Sequence, residues 1–231
     1  MIRSYTKSTN NSLRIFKENR VKSTKAMRKL SSGLRINSAA DDAAGLAISD
    51  KMKAQIRGLS QAERNIEDGV SLLQVAEGGM NEINSILQRV RELGVQAGND
   101  TNTEEDRFNI QLEVDNLLSE VDNITDTTEF NGIKVLKGED EFKGSVQVET
   151  VVGLNITKLS MGNFKEASKS ISKIDEAITI VSGERVMVGS YQNRLNYSLN
   201  NASNTGENLQ SSESKITDAD MAKSILEYSK N

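Results

Sequence analysis

Residues 66–97 read IEDGVSLLQVAEGGMNEINSILQRVRELGVQA, and their apolar positions decide the fold. Ile66, Val70, Leu73, Ala76, Met80, Ile83, Leu87, Val90, Leu93 and Ala97 recur in steps of three or four, which puts them on one face of an α-helix. No proline ends the pattern, and it extends back to Ala43, so one helix is predicted from Ala43 to about Gly98. At about 1.5 Å per residue that helix would be roughly 80 Å long, more than a compact domain of this size holds. An elongated rod is expected rather than a globule. Gly45, Gly58, Gly69, Gly78, Gly79, Gly94 and Gly98 lie inside it, each costing about 1 kcal/mol relative to alanine. Close packing of neighbouring helices is the expected compensation, and Gly58 is the expected place for a local bend.

Composition supports thin helical seams. Of 231 residues, 36% are hydrophobic, 4% aromatic and 27% charged, which suits helices with wet outer faces better than a thick core. Cysteine is absent, which excludes disulfides, thiolate catalysis and cysteine metal sites. Histidine is absent too, so the commonest general base and transition-metal ligand are missing, and enzyme function is not expected. A net charge of -4 argues against wholesale nucleic-acid binding. No apolar run approaches the roughly 20 residues that span a bilayer, and the N-terminus lacks the apolar core of a cleavable signal. A soluble chain is expected, which would leave the cell only by a route that keeps its N-terminus intact.

The first 42 residues form a basic arm. Between Met1 and Leu30, Arg3, Lys7, Arg14, Lys17, Arg20, Lys22, Lys25, Arg28 and Lys29 face a single acid, Glu18. Ser4–Ser12 is rich in Ser, Thr and Asn and has little to bury, so disorder in isolation is expected. Leu13, Phe16, Met27 and Leu30 make a patchy stripe. Such a stretch either meets an anionic surface or is a solvated helix that orders on assembly, and the second reading is preferred. Ser31-Ser32-Gly33 reads as a break, and Asp41 with Asp42 as the start of the long helix, where carboxylates accept bonds from free N–H groups.

Beyond the long helix, residues 43–231 are read as a helical rod domain. Gly98–Asn102 is a turn, and Thr103 followed by Glu104, Glu105 and Asp106 starts a second, antiparallel helix with Phe108, Leu112, Leu117, Leu118, Val121 and Ile124 on its buried side. At about 129–162 the period changes to two, in Ile133 and Val135, Val146 and Val148, Leu154 and Ile156, which predicts a small β-hairpin region. Asn163 with Glu166 reads as a further helix start. From Ile171 a heptad runs through Ile174, Ile178, Val181, Arg185, Val188, Gln192, Leu195, Leu199 and Ala202. This helix is the expected partner of the first. Arg185 and Gln192 on its seam either set register or subunit contact, or sit at a polar seam edge. The predicted fold is mainly α, an elongated antiparallel helical bundle or coiled-coil rod with a small β-hairpin region.

The run Leu30–Ser49 resembles the N-terminal region of bacterial flagellin, and the resemblance continues through Met52–Leu59, Ala76–Ile83, Leu87–Leu93 and Phe130-Asn131-Gly132. Gln192–Leu195, Glu207-Asn208-Leu209 and Ile216–Asp220 resemble that family's C-terminal half. No single motif carries the resemblance; ordered matches along the chain do. It implies a minimal flagellin without variable outer domains, whose arm contributes to the filament's inner tube. Glu227–Asn231 stop short of the C-terminal helix the resemblance leads one to expect.

By the same resemblance the chain is expected to be a structural subunit of the flagellar filament, extracellular, exported without a cleaved signal peptide. Its implied partners are other copies of itself, the flagellar export apparatus and a chaperone, with no nucleic acid and no membrane insertion. The alternatives are a hook-filament junction protein or a non-polymerising fragment recognised by Toll-like receptor 5. Receptor-binding positions carried over by resemblance are Gln88, Arg89, Leu93 and Gln96 on the long helix and Ile110 and Glu113 on the next; Leu117 stands where a basic residue is expected. The residues alone also allow Leu93 as core and Arg89 with Glu113 as a surface ion pair. Asp218 with Asp220 and the cluster Glu139-Asp140-Glu141 are the only carboxylate groups suggesting metal or acid–base chemistry. They read as a helix start and a solvated hairpin tip, so no catalytic residue, metal site or cofactor is expected.

Overall fold

The computed structural model describes residues 2–137, 159–161 and 164–230. In chain order they form α1 (Ile2–Ser32), α2 (Ala43–Ala97), α3 (Glu104–Thr127), β1 (Glu129–Phe130), β2 (Ile133–Lys134), α4 (Phe164–Thr217) and α5 (Met221–Lys230). The mainly α class agrees with the sequence expectation. The strands expected at Val146, Val148, Leu154 and Ile156, and the helix start at Asn163, lie outside the described residues. The chain divides into two compact units, residues 1–64 with 200–231, and residues 65–199. The basic arm therefore shares a unit with the N-terminal part of α2, the end of α4 and α5.

In the 65–199 unit the apolar stripe of α2 is the core. Leu73, Ala76, Met80, Ile83, Leu87, Val90, Leu93 and Ala97 are all buried, and α4 meets them with Ile174, Ala177, Val181 and Val188. The pairing is antiparallel: Arg91 Nε lies 2.6 Å from Asp175 Oδ1, whereas Gln192 Nε2 donates to Glu77 Oε2 at 3.1 Å. Numbers rise along one helix as they fall along the other. Helix α3 adds Ile110, Val114 and Val121. Of its expected buried side, Leu117, Leu118, Val121 and Ile124 pack inward, whereas Ile110 and Val114 are buried in place of Phe108 (63% exposed) and Leu112 (48%). The 3.6-residue period is satisfied by 110, 114, 117, 121 and 124 without them.

Close packing accounts for some glycines. A Cβ on Gly79 would lie 2.9 Å from Leu136 Cδ1 and 3.0 Å from Thr128 Oγ1, and one on Gly94 would lie 3.2 Å from Ile171 Cγ1. No atom stands within 4 Å of where Gly58 or Gly78 would carry one, and α2 continues as helix through Gly58. Leu136, which fills the space over Gly79, follows the short β1–β2 hairpin. Asn131 (φ 52°) and Gly132 (φ 79°) both adopt left-handed backbone, as a two-residue turn matched to strand twist requires. Helix α3 starts on a capping box. Thr103 Oγ1 accepts from Asp106 N at 3.2 Å and Asp106 Oδ2 accepts from Thr103 N at 3.0 Å.

In the other unit, the links α1–α2 and α4–α5 are joined through their backbones. Arg35 N donates to Thr217 O at 2.6 Å, and Ala219 N to Gly33 O at 2.9 Å, around an antiparallel bridge between Leu34 and Asp218. The Arg35 guanidinium also donates to Ile216 O. Of the two aspartates expected to start α2, only Asp42 does so, accepting from Gly45 N at 2.9 Å. Asp41 instead holds the preceding link: its Oδ2 accepts from Asn37 N and Ser38 Oγ, each at 3.3 Å, and its Oδ1 lies 2.7 Å from Lys25 Nζ on α1.

Two measurements check this architecture. Removing the capping hydroxyl with Thr103→Ala should lower unfolding free energy by about 1 kcal/mol in a denaturant titration. The bond from Lys25 holds the Asp41 carboxyl down at about 2, below its ordinary 3.8. The folded state thus favours the charged form, and the stabilisation, full above the ordinary carboxylate range, disappears as pH falls from about 4 towards 2. Asp41→Asn should remove that part of the acid dependence, read as a flatter melting temperature against pH.

Candidate functional site

The six receptor-binding positions carried over by resemblance separate into two groups. Gln88, Arg89 and Gln96 are exposed on α2 and Glu113 is exposed on α3. Arg89 Nη2 lies 3.0 Å from Glu113 Oε1 and its Nη1 3.2 Å from Glu92 Oε2, so one guanidinium spans the two helices. Glu113 first, and Glu92 second, raise the Arg89 pKa above its ordinary value. Leu93 (2% exposed) and Ile110 (7%) lie beneath, packed with Val90, Ala97, Val114 and Ile174. Side chains so covered offer a partner almost no area; they fix the spacing of the polar groups above. Leu117 is partly buried against the same cluster.

The carboxylates considered for metal or acid–base chemistry have other tasks. Asp218 accepts from Ser214 Oγ at 2.5 Å and from Thr217 Oγ1 at 3.3 Å, and Asp220 caps α5 by accepting from Lys223 N at 3.1 Å. Glu139-Asp140-Glu141 lies outside the described residues. Of the two polar seam residues on α4, Gln192 bonds to Glu77. Arg185 Nε is buried without a hydrogen-bond partner among the described residues.

A polar centre absent from the sequence reading surrounds Glu213. Its Oε1 accepts from Ser49 Oγ at 3.1 Å and Thr217 Oγ1 at 2.9 Å and lies 3.3 Å from Lys53 Nζ. Ser49 is fully buried and Thr217 is 1% exposed. A buried hydroxyl without a partner would cost about 1–3 kcal/mol, so the carboxylate fixes the register of α2 on α4 in this unit. The spacing Glu213–Thr217 is visible in sequence, but its pairing with Ser49, 164 positions away, carries no local signal.

Comparison with known proteins gives the family. Residues 4–141 match the bacterial flagellin N-terminal helical region, and residues 171–231 the C-terminal helical region. The chain is 46% identical over 224 residues to a flagellin of Halalkalibacterium halodurans, covering 89% of this chain and 81% of the relative. A flagellin of Bacillus subtilis is 43% identical over 269 residues, covering 96% and 88%. The flagellar filament 33 kDa core protein of Treponema phagedenis is 39% identical over 236 residues, covering 90% and 82%. The crystal structure of Bacillus cereus flagellin superposes with a TM-score of 0.55 at 30% identity, over 60% of this chain and 88% of that one. These matches do not favour a hook-filament junction protein or a non-polymerising fragment. With both helical regions present in order and a helical core to carry them, the chain belongs to the bacterial flagellins, a family of structural proteins.

Proposed function

We propose that this chain builds an extracellular flagellar filament by self-assembly through its helix flanks and terminal segments. One observation carries the reading. The two regions matched to flagellin, 4–141 and 171–231, meet in one unit, where Gly33–Arg35 pairs with Thr217–Ala219 and α1 lies in the same body as α5. A subunit that presents different surfaces to successive copies forms an open helical array when the rotation between copies does not close. Export apparatus and chaperone are partners on this reading, and the chain leaves the cell without a cleaved signal peptide. Among the described residues no helix is long and apolar enough to cross a membrane.

The second reading, recognition by Toll-like receptor 5, is favoured by the exposed cluster of Gln88, Arg89, Gln96 and Glu113, two helices joined by one guanidinium. An aligned arginine at the centre of a polar patch is the kind of group that carries binding energy when a partner covers it.

Both readings have direct tests. Purified chain in ammonium sulfate should form pelletable filaments visible by negative-stain electron microscopy, and Arg35→Ala, which removes the bond to Ile216, should raise the concentration needed. Persistently monomeric parent protein would overturn the filament reading. Arg89→Ala should leave the circular dichroism melt unchanged and weaken receptor signalling about tenfold; equal signalling would overturn the receptor reading.

A further inference from the structure

Two buried polar atoms in the 65–199 unit have no hydrogen-bond partner among the described residues: Asn84 Oδ1 on α2 and Arg185 Nε on α4. One is an acceptor and the other a donor. The pairing of the two helices shows how they stand to one another. Glu77 on α2 meets Gln192 on α4, where Gln192 Nε2 donates to Glu77 Oε2 at 3.1 Å. Asn84 lies one heptad after Glu77, and Arg185 one heptad before Gln192. In an antiparallel pair, a heptad forward on one helix and a heptad back on the other returns to the same flank of the seam. Asn84 and Arg185 therefore form the next polar layer after Glu77 and Gln192.

The layer lies in an apolar stretch of the seam. Met80, Ile83 and Leu87 on α2 and Val181 and Val188 on α4, buried in one cluster, lie on either side of it along the helices. A polar group left unpaired there forfeits the hydrogen bond it makes with water in the unfolded chain, so orphaned donors and acceptors are rare in native interiors. Arg185 also lines a recess with Glu77, Ser182 and Val186, which offers room and further polar neighbours beside the guanidinium.

We infer that an ordered water molecule is bound between Asn84 Oδ1 and Arg185 Nε, donating to the amide oxygen and accepting from the guanidinium N–H. Charge decides the ligand. An anion would suit Arg185 but meet the lone pairs of Oδ1, and a cation would suit Oδ1 but meet the positive guanidinium. A neutral group that both donates and accepts satisfies the two atoms together, and water is the smallest such group. A water that bridges two protein groups in this way is enthalpically close to a direct hydrogen bond. Arg185 is thereby a structural residue of the α2–α4 seam, as Gln192 is one heptad further on. The inference goes beyond the filament reading and stands apart from it, because both residues belong to the interior of a single chain.

Two measurements test it. A crystal structure of the full chain, at a resolution that shows ordered water, should place a density peak about 3 Å from both atoms. A direct bond between Asn84 and Arg185, or no peak between them, overturns the inference. The second measurement is a double-mutant cycle with Asn84→Leu and Arg185→Met, read by thermal unfolding in circular dichroism. Each single exchange removes one end of the bridge and strands the other, and should lower the melting temperature by about 4 °C. The two together replace the whole polar layer with apolar side chains and should melt within about 2 °C of the parent. If the two reductions simply add, the atoms do not share a site and the inference is overturned. Should a single variant fail to fold, the density between the two atoms in the parent still decides.

Discussion

Burial of the aliphatic face of α2 is the constraint on which the 65–199 unit depends. From Leu73 to Ala97 every third or fourth side chain is removed from water, and the covering residues come from α3 immediately downstream and from α4, roughly a hundred positions along the chain. Each fully buried Leu, Ile or Met contributes about 1.5–3 kcal/mol. Cation–carboxylate pairs such as Arg91–Asp175, about half exposed on each side, add little and serve to set register. The chain has few aromatic side chains, so this repeated small aliphatic contact replaces the large core of a globular protein. It also explains why glycine is tolerated where Leu136 and Ile171 come close.

The other unit uses a different device. Among its described residues the buried apolar side chains are sparse, with Ala26 and Ile36 the main ones, and polar order takes their place. Backbone bonds join the two interhelical links, Asp41 ties α1 to the first link, and Glu213 collects two hydroxyls and an ammonium group. Apolar side chains such as Phe16, Val21, Ile225 and Leu226 remain exposed there. A surface with that composition is suited to being covered by other copies, in agreement with a family whose members build filaments.

Sequence periodicity makes the long helices readable because their repeat is local: the stripe from Ile66 to Ala97, together with the absence of proline and the aspartates at 41 and 42, predicts α2 to within a residue at either end. Thr103 and the acids after it place the start of α3 correctly, and Leu117, Leu118, Val121 and Ile124 pack inward as expected, but Phe108 and Leu112, its most conspicuous early apolar residues, are exposed while Ile110 and Val114 are buried. Hydrophobicity says that a side chain can be covered, not that its own molecule covers it. Asp41 and Asp42 are equivalent as letters, and only the geometry separates a helix cap from a partner of Lys25. Of the receptor-related positions, four lie on the surface, whereas Leu93 and Ile110 are part of the core. The bonds of Ser49 to Glu213 and of Arg35 to Ile216 join partners more than 160 positions apart and leave no mark in any local window.

The junction of Gly33–Arg35 with Thr217–Ala219 has a kinetic consequence. Loop closure over about 180 residues is entropically expensive and slow compared with formation of the helices on either side. A chain emerging amino end first therefore holds its opening segment without its partner until almost everything else has followed. Until Thr217–Ala219 arrive, the backbone of Gly33–Arg35 waits for its cross-strand bonds, held meanwhile only by local ties such as Lys25 to Asp41.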